Sequence, residues 1–252
     1  MLVKPELVNM RELPADGVTL DHLAGKSSLE LMDMDAEALP ADDRYRLFQR
    51  RDNSWSHNGD WGMNAVNNAN IFHRLLQKAK AVYEDDVFCD FGGNDGTVAE
   101  AWRSTTGNTV YSVDLDALKQ GWGMKSYPQV TFVNAFLEDI PLDDKTVDWA
   151  FCSHTLEHVA DLDKALSEIT RITRQGLFVV VPLEAPASFW QSKPHMRGTH
   201  DPLDWVRTLR RPELRLIDWA KPMGSSPEMF LYYALPDWDL PHLNDMHDIW
   251  LA

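Results

Sequence analysis

Two cysteines in 252 residues, Cys89 and Cys152, are too few for a disulfide framework or a thiolate zinc site. Both sit inside apolar runs and are read as buried thiols. No apolar run approaches the roughly 18 residues of a membrane-spanning helix. The opening "MLVKPELVNMREL" also lacks a cationic start followed by an apolar block and a small-residue cleavage site. The expectation is a cytoplasmic protein with no membrane partner. Basic residues are scarce: 24 Lys and Arg against 39 Asp and Glu give a net charge of −15. Such a surface repels a phosphate backbone and argues against nonspecific nucleic-acid binding. One basic row, Arg207, Arg210, Arg211 and Arg215, has helical spacing and reads as a solvated face. Internal repeats and low-complexity blocks are missing as well.

What is present is a regular alternation. Strand-like runs fall at 87–89, 109–113, 130–133, 147–152 and 177–181, with helix-like segments at 97–103, 116–124 and 161–174 between them. The last helix carries Leu162, Ala165, Leu166, Ile169 and Ile172 on one stripe, with Gly176 as its stop signal. A further helix is predicted over 63–82, ahead of the first strand. Another begins at "DPLDW", with Asp201 as N-cap and Pro202 in its first turn. Alternation of this kind implies an α/β fold with a doubly wound, mainly parallel sheet. Two more strands, 214–219 and 229–235, are joined by a loop too short for a crossover helix and are therefore antiparallel to each other. The expected organisation is an arm or cap over 1–62, a core over 63–235 and an acidic tail over 236–252.

Ligands of such sheets sit beyond the carboxyl ends of the strands, and the stretch "VFCDFGGNDGTVAEAW" falls there. Its glycines fit the dinucleotide code G-x-G-x-x-G poorly, because Phe91 takes the place of the first glycine. They fit an acid followed by G-x-G-x-G better. Asp90, Gly92 and Gly96 match, and Asn94 takes the middle position, where asparagine tolerates the left-handed backbone. Gly93 adds a second permissive position. The acid is the more telling feature, because an aspartate aimed into the turn repels a pyrophosphate and suits an ammonium or sulfonium group. Asp114, at the end of "VYSVD", is placed to accept two ribose hydroxyls.

In order, "DFGGNDG", "VYSVDLD", "VTFVNAFLEDIPLDDKTVDWAFCSHTLEHV" and "GLFVVVP" resemble the successive strand motifs of class I S-adenosylmethionine-dependent methyltransferases. The resemblance runs from Val87 to Pro182, and the later hairpin suits the sixth and seventh strands of that fold. It implies a seven-stranded sheet and methyl transfer to an O, N or C nucleophile of a small-molecule substrate. It also implies S-adenosylmethionine beside Asp90, Gly92, Gly93 and Gly96, with Asp114 on the ribose and Leu115 against adenine. Phe136 stands where many relatives carry an acid near the adenine amino group. It is expected either to stack on the base or to pack as core, leaving the amino group to a backbone carbonyl or Asp139. Ser153, just past the fourth strand, would face the methionyl group or the substrate. A catalytically silent binder on the same fold, an NAD-dependent enzyme and a homo-oligomer stay open as alternatives.

The run "SHTLEHV" at the mouth of the fourth strand is rich in polar groups. Were a helix to begin there, His154, Glu157 and His158 could hold a divalent metal, with His195 or His200 adding a ligand. His154 or His200 could instead remove a proton from the acceptor. Ten tryptophans suggest either a flat wall for an aromatic or sugar substrate or core packing.

Overall fold

A computed structural model of the chain describes residues 59–78, 84–184, 195, 197–221 and 227–236. In chain order the elements are α1 (Gly59–Lys78), β1 (Val87–Phe91), α2 (Thr97–Thr106), β2 (Thr109–Asp114), α3 (Ala117–Ser126) and β3 (Thr131–Asn134). They continue with β4 (Val147–Ser153), α4 (Leu162–Ile172), β5 (Thr173–Pro182), α5 (Pro202–Thr208), β6 (Arg215–Ala220) and β7 (Glu228–Ala234). The expected arm, up to residue 58, and the tail beyond Pro236 lie outside the described residues.

All seven strands form one sheet in the order β3-β2-β1-β4-β5-β7-β6. The pairs from β3 to β5 are parallel, and β7 runs antiparallel to both β5 and β6. Right-handed crossovers put helices on both faces, so the central strands must be apolar on both sides. Alternate residues divide accordingly. Phe88, Trp149, Phe151, Phe178 and Val180 enter a layer with α1 and α2, while Cys89, Ala150, Cys152 and Val179 enter a layer with α4 and α5. Phe72 of α1 stacks on Phe178 with ring centroids 4.9 Å apart, and Phe88 stacks on Trp102 at 4.0 Å. Each such buried ring or branched aliphatic contributes roughly 1.5–3 kcal/mol relative to exposure. Both cysteines are buried, and burial raises their thiols well above the ordinary value. Trp102, Trp149 and Trp205 are core residues and Trp219 is exposed on β6, so no tryptophan wall forms among the described side chains.

Three local expectations are corrected. Helix α4, capped by Asp161 through Lys164 N, ends at Ile172, and Thr173 is already extended. Gly176 is no stop signal. It sits inside β5, where a Cβ would lie 2.9 Å from the Trp149 ring and 3.0 Å from Tyr233 O. The basic row is not one face either, because α5 stops at Thr208 and Arg215 opens β6. Arg207 pairs with Asp204, and Arg211 reaches back to Asp163. The Asp201 cap is as expected, its carboxylate accepting from Leu203 N at 2.9 Å. No helix among the described residues is long and apolar enough to cross a membrane.

Candidate functional site

The order β2-β1-β4 places the switch point of the sheet between β1 and β4, where neighbouring crossovers leave in opposite directions and open a crevice. Three strand ends meet there: Asp90 near the end of β1, Asp114 ending β2 and Ser153 ending β4. Register fixes their neighbours, since Asp90 lies beside both Ser112 and Phe151.

The turn after β1 takes its shape from alternating left-handed residues. Gly92, Asn94 and Gly96 have φ of 78°, 53° and 79°, so Asn94 occupies the middle position of an acid plus G-x-G-x-G pattern in conformation as well as in spacing. Gly92 and Gly93 both donate their N–H to Val113 O, at 2.8 and 3.1 Å. Space is as restrictive as angle at Gly92, where a Cβ would lie 2.1 Å from Thr155 Oγ1. Gly93 is required for room alone, with Ser112 Oγ 2.3 Å from the same imagined atom. After Gly96 the chain enters α2, and Asp95 accepts from Thr97 N at 3.1 Å and from its hydroxyl at 2.8 Å.

Carboxylates dominate the electrostatics. Asp90 is buried, and its carboxyl is pushed well above the ordinary range by that burial, then by Asp114 and Asp95. Burial also raises Asp114, against the pull of Lys119 and of N–H groups from Asp116 and Asn94. Those two N–H groups donate to separate oxygens of Asp114, at 2.8 and 2.9 Å. One side chain thus pins both the glycine turn and the entry to α3. Beside it lies a narrow cleft lined by Gly92, Asp114, Leu115, Phe136, Leu137 and Thr155. Phe136 stands in its wall rather than in the core. Ser153, Ser112 and Asn94 each bury a side-chain oxygen that has no hydrogen-bond partner.

A cluster of acids around narrow glycine positions fits a cationic amino-acid group on a nucleoside, and S-adenosylmethionine has that chemistry. A cation beside Asp90 lowers its carboxyl, so cofactor binding is expected to release protons and to tighten as pH rises through the raised range of Asp90. Calorimetric titration with S-adenosylhomocysteine, which keeps the ammonium, in buffers of different ionisation enthalpy reads that release. Asp90→Asn is expected to abolish the buffer dependence.

"SHTLEHV" does not begin a helix. His154 has φ of 51°, residues 156–158 form a turn, and α4 starts only at Leu162. The His154 ring therefore reaches Glu157 through Nδ1 at 3.6 Å and Glu228 through Nε2 at 3.3 Å. Burial alone would lower its pKa, but the neighbouring carboxylates of Glu157 and Glu228 outweigh this and raise it to about 9. Glu157 and His158 group instead with His195, one ligand atom of each lying within 4.8 Å of the others. His200 is placed apart, with Nδ1 3.2 Å from Leu183 O on an exposed residue leading into α5. Glu228 and Thr155 escaped the sequence reading. One is a lone acid before an apolar run, and the other shows its role only against Gly92.

Comparison with known proteins agrees with this geometry. A family model described as a methyltransferase domain matches residues 89–181, from β1 through β5. A malonyl-[acyl-carrier protein] O-methyltransferase of Yersinia pestis is 29% identical over 54% of this chain and 53% of its own length. The chain thus spans about half the length of that relative. Among solved structures, a SAM-dependent methyltransferase of Aquifex aeolicus shares the fold at a TM-score of 0.53 and 17% identity, over 65% of this chain and 88% of that one. A geranyl diphosphate C-methyltransferase of Streptomyces coelicolor does so at 0.53 and 16%, over 66% and 77%. The strand order and the acid-ended strands agree with that match, so residues 89–181 form a methyltransferase domain on the fold that S-adenosylmethionine-dependent methyltransferases share.

Proposed function

We propose that this protein binds S-adenosylmethionine in the cleft between β1, β2 and β4 and passes its methyl group to an O, N or C nucleophile of a small molecule. One observation carries the reading: left-handed residues at 92, 94 and 96 lie between the buried Asp90 and the half-buried Asp114, at the ends of adjacent strands. When bound, S-adenosylmethionine supplies a methyl group already activated by its sulfonium, so the protein's task is placement and exclusion of water.

The residues divide that task. Asp114 accepts from the ribose hydroxyls on lone pairs that Asn94 N and Asp116 N leave open, while Leu115 and Phe136 hold the adenine. Asp90 faces the ammonium, and Gly92 and Gly96 let the backbone come close. Ser153 orients the methionyl end or the acceptor. Alignment of this kind can supply on the order of 7–11 kcal/mol in favourable cases. Of the two histidines put forward for proton removal, His200 is the one with a ring nitrogen open to a substrate proton. A proton on His154 is held by two carboxylates, whereas a ring whose Nδ1–H faces Leu183 O keeps Nε2 free to accept.

Thermal unfolding in the presence of S-adenosylhomocysteine and of NAD⁺, followed by incubation of the full chain with S-adenosylmethionine and a metabolite extract, tests the reading. Stabilisation by S-adenosylhomocysteine alone and a product heavier by one methyl group are expected. No stabilisation would remove the cofactor assignment, and stabilisation without any methylated product would favour a catalytically silent binder.

A further inference from the structure

The turn after β4 gathers donors that the methyl-transfer reading does not use. His158 Nε2 lies 3.8 Å from Glu157 Oε1, and the His158 and His195 rings stand 4.7 Å apart at 68°. Glu157 has no exposed surface, and neither of its carboxylate oxygens accepts a hydrogen bond. The rings of His154 and His158 stand 3.6 and 3.8 Å from it, beyond hydrogen-bond length. Both oxygens therefore keep lone pairs that a metal ion can take.

The surroundings are built for rigidity. Arg197 donates from its guanidinium to Leu156 O and Val159 O, at 2.8 and 2.7 Å, and from its backbone N to Glu157 O at 3.3 Å. That clamp fixes the turn carrying Glu157 and His158. Glu184 stands 3.5 Å from His195 Nδ1, as outer carboxylates do when they orient a ligating imidazole.

We propose that Glu157, His158 and His195 form a site for one divalent transition-metal ion, with two imidazole nitrogens and one carboxylate oxygen as its protein ligands. Two imidazoles select zinc, iron, cobalt or nickel over calcium and magnesium, which prefer all-oxygen shells. Metal–ligand bonds of about 2.0–2.2 Å bring neighbouring donors to roughly 3.3 Å. The three ligand atoms, within 4.8 Å of one another, therefore close by small side-chain rotations on loading. The ligand set differs from the sequence expectation because the left-handed backbone of His154 sends its ring toward Glu228, and His195 takes its place. Thr155 and Val159, on either side of that turn, line the cleft beside Asp114, so the ion site lies next to the cleft. The site rests on its own donors and stands or falls apart from the methyl-transfer reading.

The test uses the full chain stripped with a chelator, titrated with Zn²⁺ in a calorimeter and with Co²⁺ under visible absorption. The parent protein is expected to bind Zn²⁺ saturably and to give the absorption bands of cobalt in a low-symmetry nitrogen and oxygen shell. Glu157→Gln and His195→Gln are expected to weaken Zn²⁺ at least tenfold and to bleach those bands, while His200→Ala leaves both unchanged. Circular dichroism checks each variant for folding, and His158→Gln, at a half-buried ring, replaces any that fails. No saturable binding by the parent, or unchanged affinity and spectrum in the folded ligand variants, would overturn the proposal.

Discussion

Gly92→Ala is expected to lose most of the protein's affinity for S-adenosylhomocysteine and several kcal/mol of stability, the larger of two effects that follow from the turn. The backbone at position 92 has φ of 78°, which costs an L-residue about 1–2 kcal/mol. The new methyl would also meet the Thr155 side chain at 2.1, 2.4 and 2.7 Å, from Oγ1, Cγ2 and Cβ. Relieving such overpacking typically costs about 1–3 kcal/mol more. Thr155 is buried against the cleft, so the strain is passed to the surface that should hold the cofactor. Adding Thr155→Ala removes the Oγ1 and Cγ2 contacts and leaves Cβ, so the double variant should recover part of the stability but not all of it. Chemical denaturation and calorimetric titration of the three variants check this. Additive losses in the double variant would mean that Thr155 is not the obstacle.

Asp114→Ala should weaken S-adenosylhomocysteine by about 100-fold or more. Two charge-assisted hydrogen bonds to ribose hydroxyls are worth about 1.5–3 kcal/mol each. The variant also strands the N–H groups of Asn94 and Asp116, which the carboxylate now accepts at 2.9 and 2.8 Å. The two contributions separate in a double-mutant cycle with the 2′-deoxy analogue of the ligand. If Asp114 holds the ribose, the penalty for losing the 2′-hydroxyl is large in the parent and vanishes in Asp114→Ala. An unchanged penalty would confine Asp114 to ordering the turn.

Strand positions were legible because burial on both faces leaves unbroken apolar runs such as "VDWAFC" in β4 and "LFVVV" in β5. The acids at the strand ends were legible for a related reason: a charged residue that ends a buried run has few places to go except a site. Asn94 was readable from its tolerance of the left-handed region, which the structure uses. Local pattern failed where the partner is distant in sequence. His154 meets Glu228 and Glu157 groups with His195 because sheet order, not spacing, brings β4 and β7 ends to one side. A helical reading of "SHTLEHV" could not foresee that His154 would turn left-handed. Gly176 misled for the opposite reason, since a glycine demanded by close packing in a strand looks the same in sequence as one that stops a helix.

The Phe132 ring of β3 fills the space that a side chain at either Gly96 or Gly123 would occupy, 2.6 and 2.5 Å from the two imagined Cβ atoms. Gly96 opens α2 and Gly123 lies within α3, so a single aromatic on a peripheral strand seals both helices against the cofactor turn. The three positions consequently share one volume. A smaller residue at 132 would still admit no side chain at either glycine, because a Cβ at 123 also meets the backbone oxygen of Asp95 at 2.2 Å and position 96 is left-handed, so the aromatic and the backbone close this volume together.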